Sequence, residues 1–298
     1  MPSTTTKLLA WYGTHQRVLP WRKTKNAYHV FVSELMLQQT QVDRVIPLYR
    51  AFLKKFPTWK NLANASTPDL IHAWSGLGYN RRALYARESA RNVVSHGVPK
   101  NQDGWRKLKG VGPYMAAALA EFVNHERAVV MDTNVRRVVG RITLGLPYPA
   151  LTDDIRIMPR LEQLTPTQGP HWDFPQALMD FANAVCLPSN PKCKTCPLRT
   201  TCKASKKFLS SNPPKRPKRI STERIHRDKT HPDRIYRGRI LAWVKNHGAT
   251  NIRVLGSCID DAFDPIADQD WLHAMAQRLV TDGLLAWRGT STLSLPAS

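Results

Sequence analysis

The stretch from Leu108 to Arg141 constrains this chain more than any other. It opens Leu108-Lys109-Gly110-Val111-Gly112-Pro113-Tyr114, continues Met115-Ala116-Ala117-Ala118-Leu119, and later reads Val129-Val130-Met131-Asp132-Thr133-Asn134-Val135-Arg136-Arg137. Gly110-Val111-Gly112 reads as a hairpin between two helices, since glycine tolerates positive φ and lets another backbone come close. Pro113 then opens the second helix, its fixed φ suiting a first turn. The unpaired N–H groups of that turn, with the helix dipole, form a ready site for a phosphate oxygen. Ala116 to Ala118 keep the helix thin enough to pack tightly. A Gly-Val-Gly turn alone is more often an ordinary helical hairpin, so the company it keeps decides its meaning.

Charge narrows the choice. Among 298 residues, Lys and Arg number 44 against 22 acidic residues, a formal charge of +22, which calls for a polyanionic partner, nucleic acid first. Ribosomal proteins and binders of anionic lipid are also basic. The chain, however, offers no run of about 18 or more apolar residues and no signal peptide, so a soluble intracellular protein without a membrane partner is expected. Its length allows two or three domains with real cores.

Apolar periodicity predicts a helical chain. A helix over Lys7 to His15 is followed by Leu19-Pro20-Trp21-Arg22, and Tyr28 to Phe56 reads as two helices broken near Gln39-Thr40 and again by Pro47. On this pattern Glu34 lies among apolar neighbours, although a Glu so placed is often only the edge of a solvated face. Thr67-Pro68-Asp69 caps a helix with Leu70, Ile71 and Trp74. Gly76-Leu77-Gly78-Tyr79-Asn80-Arg81-Arg82 mixes a Gly-rich turn with an aromatic and two cations, which suits a loop pressed on nucleic acid. Helices are expected from Arg82 to Val94, Thr133 to Ile142, from Thr152, and from His171 through Ala184, with no strand before residue 205. The run Pro213-Pro214-Lys215-Arg216-Pro217-Lys218-Arg219 reads as a flexible basic linker that tracks phosphate or simply spaces the domains. Beyond it, Ile235 to His247 is amphipathic, Asp270 caps a helix from Trp271 to Thr281, and Gly283 to Leu295 reads as a hairpin. Helices ending in such a hairpin point to a small winged helix. Cys258 there reads as a buried small hydrophobe.

Four of the five cysteines run Cys186-x6-Cys193-x2-Cys196-x5-Cys202 directly after a helix. They are too crowded for a spread disulfide framework. Four thiolates in so short a span hold either a tetrahedral zinc or a cubane iron–sulfur cluster.

This spacing resembles the [4Fe–4S] loop of the helix-hairpin-helix DNA glycosylase superfamily, to which endonuclease III and the MutY family belong. The resemblance runs from about Trp11 to Cys202. It rests on Leu19 to Arg22, Ser33-Glu34-Leu35-Met36-Leu37-Gln38-Gln39-Thr40-Gln41-Val42, Gly76 to Tyr79, Leu108 to Gly112, Asp132 to Val138 and the four Cys, with the Ser33 to Val42 run similar to MutY rather than endonuclease III. The resemblance implies an all-α fold of two helical subdomains with a helix-hairpin-helix motif and a [4Fe–4S] loop held by Cys186, Cys193, Cys196 and Cys202. The expected bounds are residues 1–204 for the glycosylase part, with a six-helix subdomain at about 24–131 and the N-terminal helix joined to 132–204. A linker at 205–232 and a winged-helix-like piece at 233–298 follow.

The implied activity is monofunctional excision of adenine mispaired with 8-oxoguanine or guanine in double-stranded DNA. Cleaving an N-glycosidic bond passes through an oxocarbenium-like sugar, so an acid is needed for the departing base and a fixed negative charge for the sugar. Apolar neighbours should raise the pKa of Glu34 and keep its proton available. Asp132, just before a helix, has N–H groups to hold it ionised. The resemblance further implies that Asn134 and Tyr114 steady this centre, that Arg22 and Gln176 contact the extruded adenine, that Gln39 and Tyr79 occupy the gap or wedge the stack around the opposing base, that Thr40 binds DNA, and that Gly110, Val111 and Gly112 clamp phosphate. Lyase-competent relatives carry a Lys where Tyr114 stands, so water is the expected nucleophile and an intact abasic site the product. Residues 233–298 are too few and wrongly patterned for the Nudix-like domain usual in MutY, and are expected to grip duplex or a partner.

Two other readings remain open at this stage: a thymine or uracil mismatch glycosylase of the same fold, and a noncatalytic DNA-binding iron–sulfur protein, against which the presence of both Glu34 and Asp132 argues. A monomer is expected, cytoplasmic and nucleoid-associated, or nuclear or mitochondrial if the source is eukaryotic.

Overall fold

The computed structural model describes residues 3–169, 171–217 and 223–297; Lys218 and Arg219, the end of the expected basic linker, lie outside them. The helices of seven or more residues are α1 (Thr4–His15), α2 (Ala27–Leu37), α3 (Val42–Lys55), α4 (Thr67–Ala73), α5 (Arg81–His96), α6 (Pro113–Asn124), α7 (Thr133–Val139), α8 (Asp154–Leu164), α9 (Asp173–Ala184), α10 (Asp233–His247), α11 (Ile252–Ile259) and α12 (Gln269–Thr281). Among the described residues the strands are β1 (Thr250–Asn251), β2 (Ala286–Arg288) and β3 (Thr292–Ser294). No described helix is long and apolar enough to cross a membrane.

Two compact units emerge. One comprises Met1–Val30, Pro99–Lys107 and Val111–Arg219, the other Phe31–Val98, Leu108–Gly110 and Ile220–Ser298. In the first, Leu8 and Tyr12 of α1, Val135, Val138 and Val139 of α7, Ile157 and Leu161 of α8, and Phe174, Leu178 and Phe181 of α9 share one core. Past α7 the chain widens into a π turn, Gly140–Leu144. The carbonyls of Arg141 and Ile142 there accept the N–H groups of Ala204 and Lys203, both at 3.1 Å. A helix end that leaves carbonyls orphaned thereby receives the end of the cysteine loop.

In the second unit, rings stack around α3: Phe52 packs against Phe56 and Trp74 with centroids 5.1 and 5.7 Å apart. Pro47 does not break α3 as its sequence suggests. It lies exposed within the helix, and Asp43, whose carbonyl loses its partner, is exposed too, so water can serve that carbonyl. Two expected caps also shift by a residue or two. Ser66, not Thr67, caps α4, its Oγ accepting the Asp69 N–H at 3.1 Å. Asp268, not Asp270, precedes α12.

The carboxyl-terminal part runs α10, β1, α11, α12, β2, β3, with an antiparallel sheet in the order β1-β3-β2, the element order of a winged helix. The short β1 and α11 were not legible as elements. Cys258 is exposed rather than buried, because α11 turns it away from the Ile252, Leu255 and Ile259 face that packs inward. The described ends of segment 205–232 are anchored, not free. Tyr148 Oη donates to the Pro214 carbonyl at 2.7 Å, and the buried Lys229 ammonium bridges Asp260 and Asp268 at 2.7 and 2.6 Å. Within this unit the carboxyl-terminal part packs on the Gly-rich turn: Arg81 pairs with Asp282 at 3.2 Å, and Lys245 Nζ bonds Ser75 Oγ.

Candidate active site

Glu34 belongs to a run of seven consecutive buried residues, Val30 to Met36, and is itself 7% exposed. Helix α2 is covered on all sides here, so the bland reading of Glu34 as the edge of a solvated face is wrong. A carboxyl so enclosed is kept only where it is paired or protonated.

Asp132 stands immediately before α7 in extended backbone. One carboxylate oxygen accepts the Val135 N–H at 2.6 Å, the other accepts from Asn134 Nδ2 at 2.9 Å. Both lone-pair directions on that side are thus fixed by groups on one helix turn. Asn134 is oriented in turn by Arg137 Nη1, which donates to its Oδ1 at 3.1 Å. The same guanidinium donates to the carbonyls of Cys186 at 2.8 Å and Ala182 at 2.9 Å. Burial lowers the Arg137 pKa, opposed by the nearby Cys186 and Asp132.

The hairpin has the geometry its glycines predict. Gly110 takes φ +77°, and a Cβ there would stand 2.8 Å from the Tyr85 ring. Ser89 Oγ donates to the Lys109 carbonyl at 2.9 Å and pins the turn. Val111 is buried. Gly112 is the extended residue before α6 and supplies no side-chain cap. Tyr114, the second residue of that helix, is half-buried.

Arg22 and Gln176 come together around Tyr12. Tyr12 Oη donates to Gln176 Oε1 at 3.3 Å, and the Arg22 guanidinium lies 5.8 Å from the Tyr12 ring. Arg22 is not wholly available to a ligand, however: its Nη1 and Nη2 donate to Asp180 at 2.7 and 2.9 Å, and Nη1 also to the Arg17 carbonyl. Arg17 adds its own N–H and Nε to the same carboxylate at 3.0 and 2.6 Å. Burial works against the charge of Asp180, yet the hydrogen bonds from Arg22 and the Arg17 backbone hold its carboxyl below the usual carboxylate range.

Gln39 and Tyr79 take left-handed backbone, φ +58° and +46°, and both side chains are exposed. For non-glycine residues such conformations persist only where surroundings impose them. Here Arg82 imposes them. Buried and aimed inward, its guanidinium donates to the Leu35, Gln38, Leu77 and Gly78 carbonyls at 2.6, 2.7, 3.3 and 3.2 Å. Thr40 Oγ1 adds a bond to the Leu77 carbonyl at 3.2 Å. The Arg82 guanidinium also lies 5.5 Å from the Tyr79 ring. Arg81 and Arg82 therefore hold protein, the one Asp282 and the other carbonyls, instead of presenting two cations to phosphate. Burial lowers the Arg82 pKa to about 10, which leaves it cationic at neutral pH.

Cys186, Cys193, Cys196 and Cys202 are half-buried and unbridged. Cys186, Cys193 and Cys202 stand close enough to Cys196 to raise its pKa. Burial and its three neighbours push Cys196 up to about 12; burial first, then Cys186 and Cys202, raises Cys193. The fully buried Arg141 donates to Cys186 Sγ at 3.4 Å and to the Leu187 and Pro188 carbonyls at 2.7 and 2.9 Å. Among the described residues no three or more His, Cys, Asp or Glu side chains are arranged as a ready metal site.

Glu34, Gln39, Thr40, Tyr79 and Gly110 thus fall in one unit. Arg22, Val111, Gly112, Tyr114, Asp132, Asn134, Gln176 and the four Cys fall in the other. Residues 32–150 match the family of HhH-GPD superfamily base excision DNA repair proteins. The chain belongs to the HhH-GPD superfamily. It is 40% identical over 198 residues to an adenine DNA glycosylase of Mycolicibacterium smegmatis, covering 64% of this chain and 66% of that protein. It is 38% identical over 210 residues to the adenine DNA glycosylase of Rattus norvegicus, covering 66% of this chain but only 40% of the rat protein. The chain thus spans less than two thirds of these relatives. Among solved structures, a thermostable thymine-DNA glycosylase superposes with a TM-score of 0.63 at 29% identity, over 68% of this chain and 95% of its own.

Asp180 and Arg137, which orient candidate residues of the first unit, had no assigned role in the sequence, and Arg82 of the second reads there as a cation for nucleic acid. For Asp180 a signal existed, since Asp173, Gln176 and Asp180 recur at helical spacing through an otherwise apolar helix.

Proposed function

We propose that the protein is a DNA glycosylase that hydrolyses the N-glycosidic bond of an extruded adenine opposite guanine or 8-oxoguanine. What carries this reading is the contrast between its two carboxyl groups: Glu34 enclosed in α2, Asp132 fixed ahead of α7 by Val135 and Asn134. Glu34 donates the proton that lets the purine leave as a neutral base. Asp132, already oriented, faces the positive charge that develops on the sugar, at no cost in reorganisation. Water attacks the sugar. Tyr114 offers no amine for a Schiff base, so the abasic strand is released intact.

The Gly110-Val111-Gly112 turn holds a backbone phosphate, and the charge of +22 draws the duplex in. Extrusion of the base costs a few kcal/mol, which Gln39 and Tyr79 offset by filling the space it leaves.

Four half-buried, unbridged cysteines that lie within electrostatic reach of one another fit a cluster whose iron takes them as thiolates. Cys186, Cys193, Cys196 and Cys202 would hold a [4Fe–4S] cluster. When bound, it supplies a rigid structural crosslink for the loop that Arg137 and Arg141 tie to α7 and its π turn. The protein acts as a monomer on double-stranded DNA, in the cytoplasm or, in a eukaryote, the nucleus or mitochondrion.

The likeness to a thymine-DNA glycosylase favours one second reading, excision of thymine or uracil from mismatches. A single assay separates the two. Duplexes containing A:8-oxoguanine, A:G, T:G and U:G are incubated with enzyme and the abasic product is cleaved by alkali. Product from the two adenine duplexes alone is the expected result; product from T:G or U:G alone would replace adenine as the target.

A further inference from the structure

A cleft of about 690 Å³ opens beside the Gly-rich turn, and one wall of it is the winged-helix piece. Gln39 and Tyr79 line it together with Arg234, Arg237 and Gly238 of α10. Its charge is one-sided. Five Arg line it against one acid, Asp282, and that acid is engaged by Arg81 and Arg278 at 3.2 and 3.6 Å. Arg82 is committed to carbonyls and Arg234 to Glu223 at 2.6 Å. The Arg237 guanidinium, in contrast, makes no hydrogen bond or ion pair among the described residues, so its fork is open to an outside anion.

Gly238 is the second clue. A glycine within an exposed helix weakens it, and is kept where something must come close. Among the described residues nothing does: a Cβ at Gly238 would meet no atom of another element within 4 Å. The residue is exposed and faces the cleft. The space it keeps free, next to an unengaged Arg237 and opposite an exposed aromatic ring and an amide, has the size of a nucleotide site. Stacking on Tyr79, an amide edge and a guanidinium are the means by which an unstacked base and its phosphate are held.

We propose that this cleft seats the nucleotide left unpaired opposite the excised base. Arg237 holds its backbone phosphate, Gly238 allows that backbone to approach α10, and Tyr79 stacks on its base. The winged-helix piece is then part of the recognition surface for the complementary strand. This rests on the glycosylase reading of the site, and extends it to residues 233–238, which the superfamily match at 32–150 does not reach.

The test uses the full-length protein and a duplex with a stable abasic analogue opposite guanine, so that binding is read without any excision. Adenine release by the unaltered protein is measured separately, so failure of the glycosylase reading would show there alone. Arg237→Ala should weaken binding about tenfold and lower the slope of log K against log salt by about one, as expected for one lost phosphate contact. Gly238→Gln should weaken binding at least as much while the melting temperature stays level or rises, which separates blocked approach from misfolding. If either variant binds within twofold of the unaltered protein, the cleft does not seat the opposing strand.

Discussion

Asn134 donates its amide to Asp132 at 2.9 Å, and is itself aimed by Arg137, whose other two arms reach the carbonyls of Ala182 and Cys186. The orientation of the carboxylate is thus set by a side chain two residues on, and that side chain by the entry to the cysteine loop. Arg137→Lys keeps the charge but cannot bond three acceptors in a plane. The expected outcome is a fall in the single-turnover excision rate on the order of tenfold, about 1.4 kcal/mol, with duplex affinity little changed. A matching loss of affinity would mean that Arg137 serves the fold only.

Asp180 gathers Arg17 and Arg22, and removing its charge leaves two cations facing a buried amide. Asp180→Asn should therefore destabilise the protein by about 3–5 kcal/mol, read as a shift of the denaturant midpoint. The pH dependence has a definite sign. Its carboxyl lies below the usual range in the fold, so the stabilisation is complete above the unfolded value of about 4 and is lost as pH falls through the lower folded value. The stabilities of the unaltered protein and the Asn variant should run parallel down to about pH 4 and converge only below it; curves that stay parallel as pH falls well below that value would show that the charge is not what stabilises.

Tyr114 decides how the strand ends. Borohydride should not trap the unaltered enzyme on DNA, and nicks should appear only after alkali or heat. Tyr114→Lys places an amine at the second residue of α6 and should gain trapping and some strand cleavage. Trapping of the unaltered protein, persisting after Lys109→Ala, would show that another amine attacks.

The cysteine loop makes a prediction of its own. Protein purified without chelators should absorb broadly near about 400 nm, as thiolate-ligated iron–sulfur centres do. Cys196→Ser should lose that band along with solubility and duplex affinity. Colourless protein containing one zinc per chain would assign the four thiols to zinc.

Much of this was legible because local rules dominate where the site is built. Gly110 and Pro113 encode a turn and a helix start by their backbone limits alone, and Asp132 sits where any Asp before a helix bonds the third N–H. The interior partners were not legible. Nothing local distinguishes Arg82, buried under the Gly-rich turn, from its neighbour Arg81; only folding brings the Leu35 and Gln38 carbonyls to it. Pro47 was misread for a related reason, since what spares α3 is the exposure of Asp43, a tertiary property. The two-residue β1 is paired by Leu293 and Thr292 across forty residues of sequence, and so carries no period of its own.

The division of labour between two carboxyl groups is the centre of this account, and single-turnover excision of adenine from an A:G duplex at saturating enzyme tests it most directly. Glu34→Gln keeps the shape and cannot deliver a proton, so excision should fall below detection while the duplex still binds with near-normal affinity. Asp132→Asn should slow excision by at least about a thousandfold through lost stabilisation of the sugar cation. Turnover of both variants at the rate of the unaltered protein would place the chemistry elsewhere.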